Sequence, residues 1–288
     1  MCAQADGVVL GVNGDPAASP ALRFAVREAQ RRSLPLTLVR SWQVSPLYEA
    51  ALLMTRGELE RAAVQTLQAA TDAVAKLAPE LRTVSRLAQG RTDDVLIEAS
   101  RRATLLVLGR RGGRSPWLGP VIAHVSAGAH CPVIVVPDEA PVPSHQAPLN
   151  EVVVGVDGSE VSSRAVAFAL EQASQWGSTL IAVLAVEPSL GGYLPDTQVL
   201  AAIRECGQRL LSEALAGYRE NYPDVVVHEN VSLDAPHVAL RHFALDAALL
   251  VLGTHGRNAL TRVFLGSVSS SLLRDAPCPV AVIPRTQL

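Results

Sequence analysis

Short apolar runs alternate with longer stretches of helical periodicity from one end of the chain to the other. The apolar runs lie at residues 8–12, 36–39, 83–88, 105–108 and 133–136, and again at 152–156, 180–183, 225–231, 249–252 and 280–283. Strands that are apolar along their whole length are typical of a parallel sheet buried on both faces. The alternation therefore predicts an α/β fold, with helices covering both faces of a parallel sheet.

Helix signals lie between these runs. Ser19 followed by Pro20 predicts a helix N-cap and a first helical residue. The apolar positions that follow share one helical face, at the spacing i, i+3, i+4 and i+7. They are Leu22, Ala25, Val26 and Ala29, and their counterparts in the second half are Val166, Ala169, Leu170 and Ala173. Longer amphipathic helices are predicted over residues 56–77 and 198–218.

The two halves of the chain are similar in sequence. Residues 8–14 match residues 152–158 at an offset of 144, and a three-residue gap later moves the offset to 147, so that Cys131-Pro132 matches Cys278-Pro279. Self-similarity at this length indicates a duplicated domain. We therefore predict two doubly wound domains, each with a five-stranded parallel sheet, at residues 1–138 and 151–288. The proline-rich segment 139–150 is predicted to be a semi-rigid linker.

Composition excludes several classes of protein. The hydrophobic content is 49%, the charged content 18% and the net charge −2. These values describe a globular protein without the basic field that nucleic-acid binding needs. No apolar run reaches the length of a membrane span, and the N-terminus lacks the features of a signal peptide. The four cysteines contain no CxxC pair, which favours reduced thiols and a cytoplasmic location.

Known catalytic motifs are also missing. Lys76 is the only lysine and follows no glycine-rich loop, so P-loop ATPases and protein kinases are excluded. The seven histidines form no HExxH motif, no HIGH motif occurs, and no nucleophile motif is evident. We predict no catalytic residues and no metal held by the protein itself.

A glycine pattern follows the fourth apolar run of the second half. Gly253 ends that run, Gly256 follows, and Gly266 precedes Ser267 and Val268. Glycines at a strand end let backbone N–H groups approach an anion, and a helix beginning at Ser267 adds further N–H groups and a positive dipole end. In a parallel sheet, this loop and Asp157 after the first strand point into the same crevice.

Together with the element VVGVDGS at residues 153–159, this G-x2-G-x9-G-[S/T] pattern resembles the signature of ATP-binding universal stress proteins. The resemblance covers essentially the whole chain and implies the fold of that family, which is shared with adenine-nucleotide α-hydrolases. It implies backbone contacts with phosphates, ribose proximity and a main-chain contact with adenine. The residues concerned are Gly256, Gly266, Ser267 and Val268 for the phosphates, Gly253 for the ribose and Ala185 for adenine, with Gly155, Asp157 and Gly158 in the matching upstream element.

Two side chains of this site have two interpretations each. The Asp157 carboxylate is suited to accept a hydrogen bond from a ribose hydroxyl or an adenine amino group, but Asp-Gly is also a favoured turn with a capping aspartate. Arg257 in the glycine loop is placed to neutralise phosphate charge, or is a solvated loop residue. Both alternatives stay open from the sequence.

The first half departs from the pattern. Asn13 replaces the aspartate, Gly112 and Gly119 are separated by only six residues, and Pro120 replaces the serine, which removes a hydroxyl and a backbone N–H. Gly109 and Gly112 keep their spacing. Asn13, Gly109, Gly112 and Gly119 are therefore weaker candidates for nucleotide contact, and we expect weak binding or none in this half.

The resemblance implies a non-enzymatic, ATP-binding regulator of stress or growth arrest, with Mg²⁺ carried by the phosphates. It also implies an internal pseudo-dimer in which the fifth strands, at 133–136 and 280–283, meet. Two alternatives remain: a slow ATP hydrolase or phosphotransfer protein, and a structural stress protein that binds no nucleotide. The protein partner and any further homodimer are left open.

Overall fold

The computed structural model describes residues 6–14, 16, 19–43, 56–110, 118–138, 151–188, 196–254 and 265–285, with the side chain of Arg219 excepted. The chain forms two compact units that divide near residue 142. We call them unit 1 and unit 2 in chain order. The predicted linker, 139–150, lies outside the described residues, so its bounds stay a prediction.

Unit 1 contains five strands and four helices among the described residues. They are β1 (Gly7–Gly11), α1 (Pro20–Arg31), β2 (Leu36–Trp42), α2 (Arg56–Leu77), β3 (Thr83–Gln89), α3 (Thr92–Ser100), β4 (Ala103–Arg110), α4 (Pro120–Gly128) and β5 (Val133–Pro137). The strands are parallel and stand in the order β3-β2-β1-β4-β5. The first three strands follow one another outward from β1 to β3, and the chain then returns to place β4 and β5 on the other side of β1. This reversal of strand order is expected of a doubly wound sheet.

Unit 2 repeats this topology. Its elements are β6 (Glu151–Val156), α5 (Glu160–Trp176), β7 (Thr179–Ala185), α6 (Thr197–Arg219), β8 (Val227–Ser232), α7 (Pro236–Phe243), β9 (Leu249–Gly253), α8 (Ser267–Asp275) and β10 (Val280–Ile283). Within this unit the parallel strands stand in the order β10-β9-β6-β7-β8. The switch point lies between β6 and β9.

The core of each unit lies between the sheet and its helices, where the sequence places its apolar residues. The predicted inner face of α1 is buried, with Leu22, Ala25, Val26 and Ala29 no more than 4% exposed. Ser19 is the N-cap of that helix: its Oγ accepts from the backbone N–H of Leu22 at 3.4 Å, and Pro20 is the first helical residue. The predicted cap and face are both confirmed.

The structure adds two helices that the sequence pattern does not reveal. Both α3 and α7 are short, and each buries only a few apolar side chains, Leu96 and Ala99 in α3, and Ala239 and Leu240 in α7. Strand bounds also shift at the sheet edges. The third strand of unit 2 starts at Val227, and Val226 is 59% exposed.

Among the described helices, none is both long enough and apolar enough to cross a membrane.

Candidate functional site

The carboxyl ends of β6 and β9 lie side by side in unit 2. Val152 is opposite Leu249 and Val154 is opposite Val251, while β6 pairs on its other side with β7. Asp157 follows β6 directly and Thr254 follows β9. The two residues therefore leave neighbouring strand ends at the switch point, where ligands of doubly wound sheets bind.

Asp157 forms the tight turn that starts α5. Its Oδ1 accepts from the backbone N–H of Ser159 at 2.9 Å, and its own N–H donates to Ser162 Oγ at 3.1 Å. Ser159 in turn caps α5, because its Oγ accepts from the N–H of Ser162 at 3.1 Å. The turn interpretation of Asp157 thus holds for one oxygen. The other, Oδ2, has no hydrogen-bond partner in the part of the chain that the structure describes.

The two glycines around this turn have separate reasons to be glycine. Gly158 has a φ of +79°, a backbone conformation that residues other than glycine rarely adopt. At Gly155 a Cβ would lie 3.0 Å from Leu252 Cδ2 and 3.2 Å from Leu240 Cδ1, so the missing side chain lets α7 pack closely on the sheet. Gly155 therefore has a packing role, and a contact with ligand is untested.

The start of α8 is fastened to the end of β9. The backbone N–H of Gly266 donates to the carbonyl of Thr254 at 2.8 Å, and Ser269 Oγ donates to the carbonyl of Gly253 at 2.7 Å. Thr254 also donates its N–H to the carbonyl of Ile283 at 3.0 Å. The predicted residues Gly253 and Gly266 are thereby brought together.

The first turn of α8 lacks a side-chain cap. Its N-cap is Gly266, which has no side chain, whereas α1, α5 and α6 are capped by Ser19, Ser159 and Asp196. Ser267 is exposed and Val268 is half-buried at this helix start. An uncapped helix N-terminus offers N–H donors and a positive dipole end to an anion.

The remaining predicted residues of unit 2 divide into two groups. Ala185 ends β7 opposite Ser232 on β8, and both are half-buried. It therefore lies at the same edge of the sheet as Asp157, and its contact with adenine is untested. Gly256 and Arg257 lie outside the described residues, so their predicted roles stay predictions.

The corresponding edge of unit 1 has different chemistry. Asn13 is exposed, and Gly119 is the N-cap of α4 with Pro120 as its first residue. Because proline has no backbone N–H, α4 offers one donor fewer than α8. Gly109 is the next-to-last residue of β4, and a Cβ there would lie 3.4 Å from Ala21 Cβ. Gly112 lies outside the described residues.

Arg40 is a feature of this edge that sequence reasoning missed. Its Nη1 donates to the carbonyl of Val12 at 3.1 Å, at the end of β1. The register places Leu184 at the equivalent position in unit 2, beside Val156. A charged side chain among apolar neighbours on β2 is the signal that could have drawn attention to it.

A polar cluster joins α3 and α4 in unit 1. Arg91 donates to both carboxylate oxygens of Asp93, at 3.2 and 2.8 Å, and His124 Nδ1 lies 2.9 Å from Asp93 Oδ2. Asp93 is 7% exposed, and the hydrogen bonds from Arg91 hold the pKa of its carboxyl well below the usual range. The cluster depends on α3, which the sequence pattern does not reveal.

The described residues contain no group of three or more His, Cys, Asp or Glu side chains that could hold a metal ion.

Comparison with known families and proteins gives a consistent result. The model of the "Universal stress protein family" matches residues 6–137 and 149–284. A universal stress protein of Mycobacterium tuberculosis is 34% identical over 296 residues, covering 96% of this chain and 95% of the relative. One of Mycolicibacterium smegmatis is 35% identical over 293 residues, covering 96% of each chain.

Solved structures show the same fold. A universal stress protein from Archaeoglobus fulgidus has a TM-score of 0.65 and 19% identity, covering 98% of this chain and 100% of its own. A protein of Pseudomonas aeruginosa PAO1 has a TM-score of 0.63 and 17% identity, covering 98% of this chain and 93% of its own. At these identities the likeness concerns the fold alone.

Proposed function

The chain belongs to the universal stress protein family, and on that premise we propose that it binds ATP in unit 2 and acts as a non-enzymatic regulator in stress or growth arrest. The observation that carries the proposal is the start of α8, which is uncapped and hydrogen-bonded to the end of β9 through Gly266 and Thr254. This arrangement suits a phosphate group, because the N–H donors are held in place before the anion arrives.

The nucleotide fits the polar groups of this edge in one orientation. Phosphates lie at the N–H groups of Ser267 and Val268, with Arg257 adding positive charge and Mg²⁺ bound through phosphate oxygens. The ribose or adenine lies between Asp157, whose Oδ2 accepts a hydrogen bond, and the backbone of Ala185. Support for this orientation comes from the adjacency of β6, β7 and β9.

Unit 1 is the weaker site in this proposal. Pro120 removes a donor from the start of α4, and Asn13 replaces a charged acceptor by a neutral amide. Arg40 adds a guanidinium at the end of β1, where unit 2 has Leu184. The loss of the donor and the loss of the charged acceptor both lower the affinity for a nucleotide held as in unit 2.

Regulation requires that ATP favours one state of the protein over another, since a ligand that binds two states equally shifts neither. We propose that a cytoplasmic protein partner recognises the ATP-bound state and so detects the bound nucleotide. Pairing of the fifth strands of the two units, which the sequence predicts because an apolar edge strand invites a partner, belongs to the same proposal.

Mass spectrometry of the small molecules released from freshly purified protein, followed by titration with Mg-ATP, tests the proposal. We expect one ATP per chain and no ADP production above a no-protein control. Steady turnover that a Gly266→Glu variant abolishes would favour the slow hydrolase. Nucleotide-free protein that saturating Mg-ATP neither binds nor stabilises would favour the structural alternative and contradict the proposal.

A further inference from the structure

Thr254 carries a buried hydroxyl without a hydrogen-bond partner. The residue is 1% exposed, and within the described ranges its Oγ1 reaches no acceptor or donor. Buried side-chain hydroxyls in native proteins nearly always have a partner, so each exception calls for an explanation. In this case the backbone of the same residue is fully engaged, and only the side chain is left over.

Thr254 lies beside the start of α8, to which its backbone is hydrogen-bonded. Its carbonyl accepts from Gly266, the N-cap of that helix, at 2.8 Å. Alternate residues of a strand share a face, so Thr254 continues the face of Leu252, whose side chain packs beside Gly155 on the side of α7. Ser269 of α8 is bonded to Gly253, the residue between them.

We propose that Thr254 Oγ1 donates a hydrogen bond to a phosphate oxygen of the nucleotide at the start of α8. This inference rests on the function proposed above and adds a side-chain donor to the backbone donors of Ser267 and Val268, since the N–H of Gly266 is already bonded to the carbonyl of Thr254. The hydroxyl is unsatisfied while the site holds no anion, and the phosphate supplies the missing acceptor. Charged acceptors form the stronger hydrogen bonds, so binding gains from this pairing.

Unit 1 has no hydroxyl at the position equivalent to Thr254. The equivalent residue, 144 positions earlier, is Arg110 at the end of β4. The donor is therefore specific to the unit whose helix start also keeps its first N–H group.

The contrary explanation is that Thr254 is a core residue whose unpartnered hydroxyl has no role in binding. Ser126 provides a control for this explanation. It is also 1% exposed, and its Oγ likewise lacks a partner among the described residues. It lies late in α4 of unit 1, away from the helix start, and unit 2 has the buried Leu273 at the equivalent position. Ser126 is thus a buried orphan hydroxyl with no anion site beside it.

The test compares Thr254→Val, Thr254→Ser and Ser126→Ala in the full chain. For each we measure the Tm of nucleotide-free protein and, by calorimetric titration, the affinities for Mg-ATP, ADP and adenosine. Removing an orphan hydroxyl should raise the ligand-free Tm in both Thr254→Val and Ser126→Ala. Thr254→Val should also weaken ATP and ADP binding about tenfold or more, and leave adenosine binding unchanged.

Ser126→Ala should leave all three affinities unchanged, and Thr254→Ser should retain ATP affinity within a few-fold because it keeps the hydroxyl. Thr254→Ala, tested in parallel, should show the same selective loss and serves if the valine does not fold. Unchanged ATP affinity in Thr254→Val would overturn the inference, as would an equal loss for adenosine, which would point to the nucleoside. Wild-type protein that binds no nucleotide would instead overturn the proposed function itself.

Discussion

Ser269 Oγ donates to the carbonyl of Gly253 at 2.7 Å, so the first turn of α8 is tied to the end of β9 by a buried side chain. The hydrogen bonds within the helix and within the sheet do not by themselves fix the position of α8 relative to β9. The bond fixes where the helix start stands relative to the strand end, and therefore where any anion between them must lie. Ser269→Ala should lower the free energy of unfolding by about 1 kcal/mol, because it leaves the half-buried carbonyl of Gly253 short of a donor.

The same variant should weaken ATP binding several-fold, since the N–H donors lose their fixed position. Chemical unfolding and calorimetric titration measure the two effects. Ser270→Ala is the matched control, one residue along and only half-buried, and it should change neither quantity. Equal behaviour of the two variants would show that the Ser269 bond has no special role.

Gly266→Glu should abolish most ATP binding, whereas Gly119→Glu should change little. A carboxylate at residue 266 repels a phosphate at the start of α8. Both glycines are N-caps with φ near −60°, and a Cβ at Gly119 meets nothing within 4 Å, so unit 1 should tolerate the change. Titration of the wild type that finds two equal sites per chain would contradict this asymmetry.

Gly217→Ala and Gly177→Ala should shift stability in opposite directions. Neither position has an atom within 4 Å of a new Cβ, so the backbone conformation decides the outcome. Gly217 lies within α6, and alanine there should add about 0.5–1 kcal/mol to the free energy of unfolding. Gly177 ends α5 with a φ of +64°, and alanine there should cost about 1 kcal/mol. Thermal unfolding of the two variants checks both signs.

Asp93→Asn should destabilise the protein at neutral pH by up to about 1 kcal/mol, because a neutral amide bonds the largely exposed Arg91 less strongly. The pKa of Asp93 is lowered in the folded state, so its stabilising contribution is present above the unfolded pKa of about 3.9 and is lost as the pH falls toward the lower folded pKa. The gap between wild type and variant should therefore narrow below about pH 4.

Urea unfolding between pH 7 and pH 3 measures this narrowing. Asp94→Asn is the control, because Asp94 is 73% exposed and its ion pair with Arg91 is a surface contact. A gap for Asp93→Asn that stays constant down to pH 3 would show that the carboxyl is not held ionised by the cluster.

The described cysteines should differ sharply in reactivity. Burial raises the pKa of Cys131 to about 12, and Cys278 is 2% exposed, whereas Cys206 is exposed on α6. Since the thiolate is the reactive form, iodoacetamide at pH 8 should modify Cys206 in native protein and reach the other two only after unfolding. Peptide mass spectrometry resolves the three sites, and early modification of Cys131 would contradict the prediction.

Much of the fold follows from the apolar pattern alone, because the central parallel strands are buried on both faces and are apolar along most of their length. The strand at 280–283 and the helix at 56–77 have the same bounds in sequence and structure. The pattern does not reveal α3 and α7, since helices of nine and eight residues bury too few side chains to show a period. Short helices are defined by tertiary packing more than by their own sequence.

The candidate site was partly predictable for a related reason. Glycine spacing indicates a loop and a helix start, and the structure brings Gly253 and Gly266 together. The orphan hydroxyl of Thr254 and the partner of Arg40 depend on which atoms meet in three dimensions, so the sequence could at most draw attention to Arg40 as a charged residue in an apolar run. Asp157 was predicted in part, since one of its oxygens serves the predicted turn and its contact with a ligand stays a prediction.

The contrast between Pro120 and Ser267 determines how the chain would respond to a changing nucleotide level. A protein with two equivalent sites can couple them and answer steeply over a narrow concentration range. If only unit 2 binds nucleotide, as proposed, occupancy would follow a simple hyperbola and rise gradually over a wide range of concentration. The protein would then respond to nucleotide level in a graded way, and a threshold response would have to come from its partner.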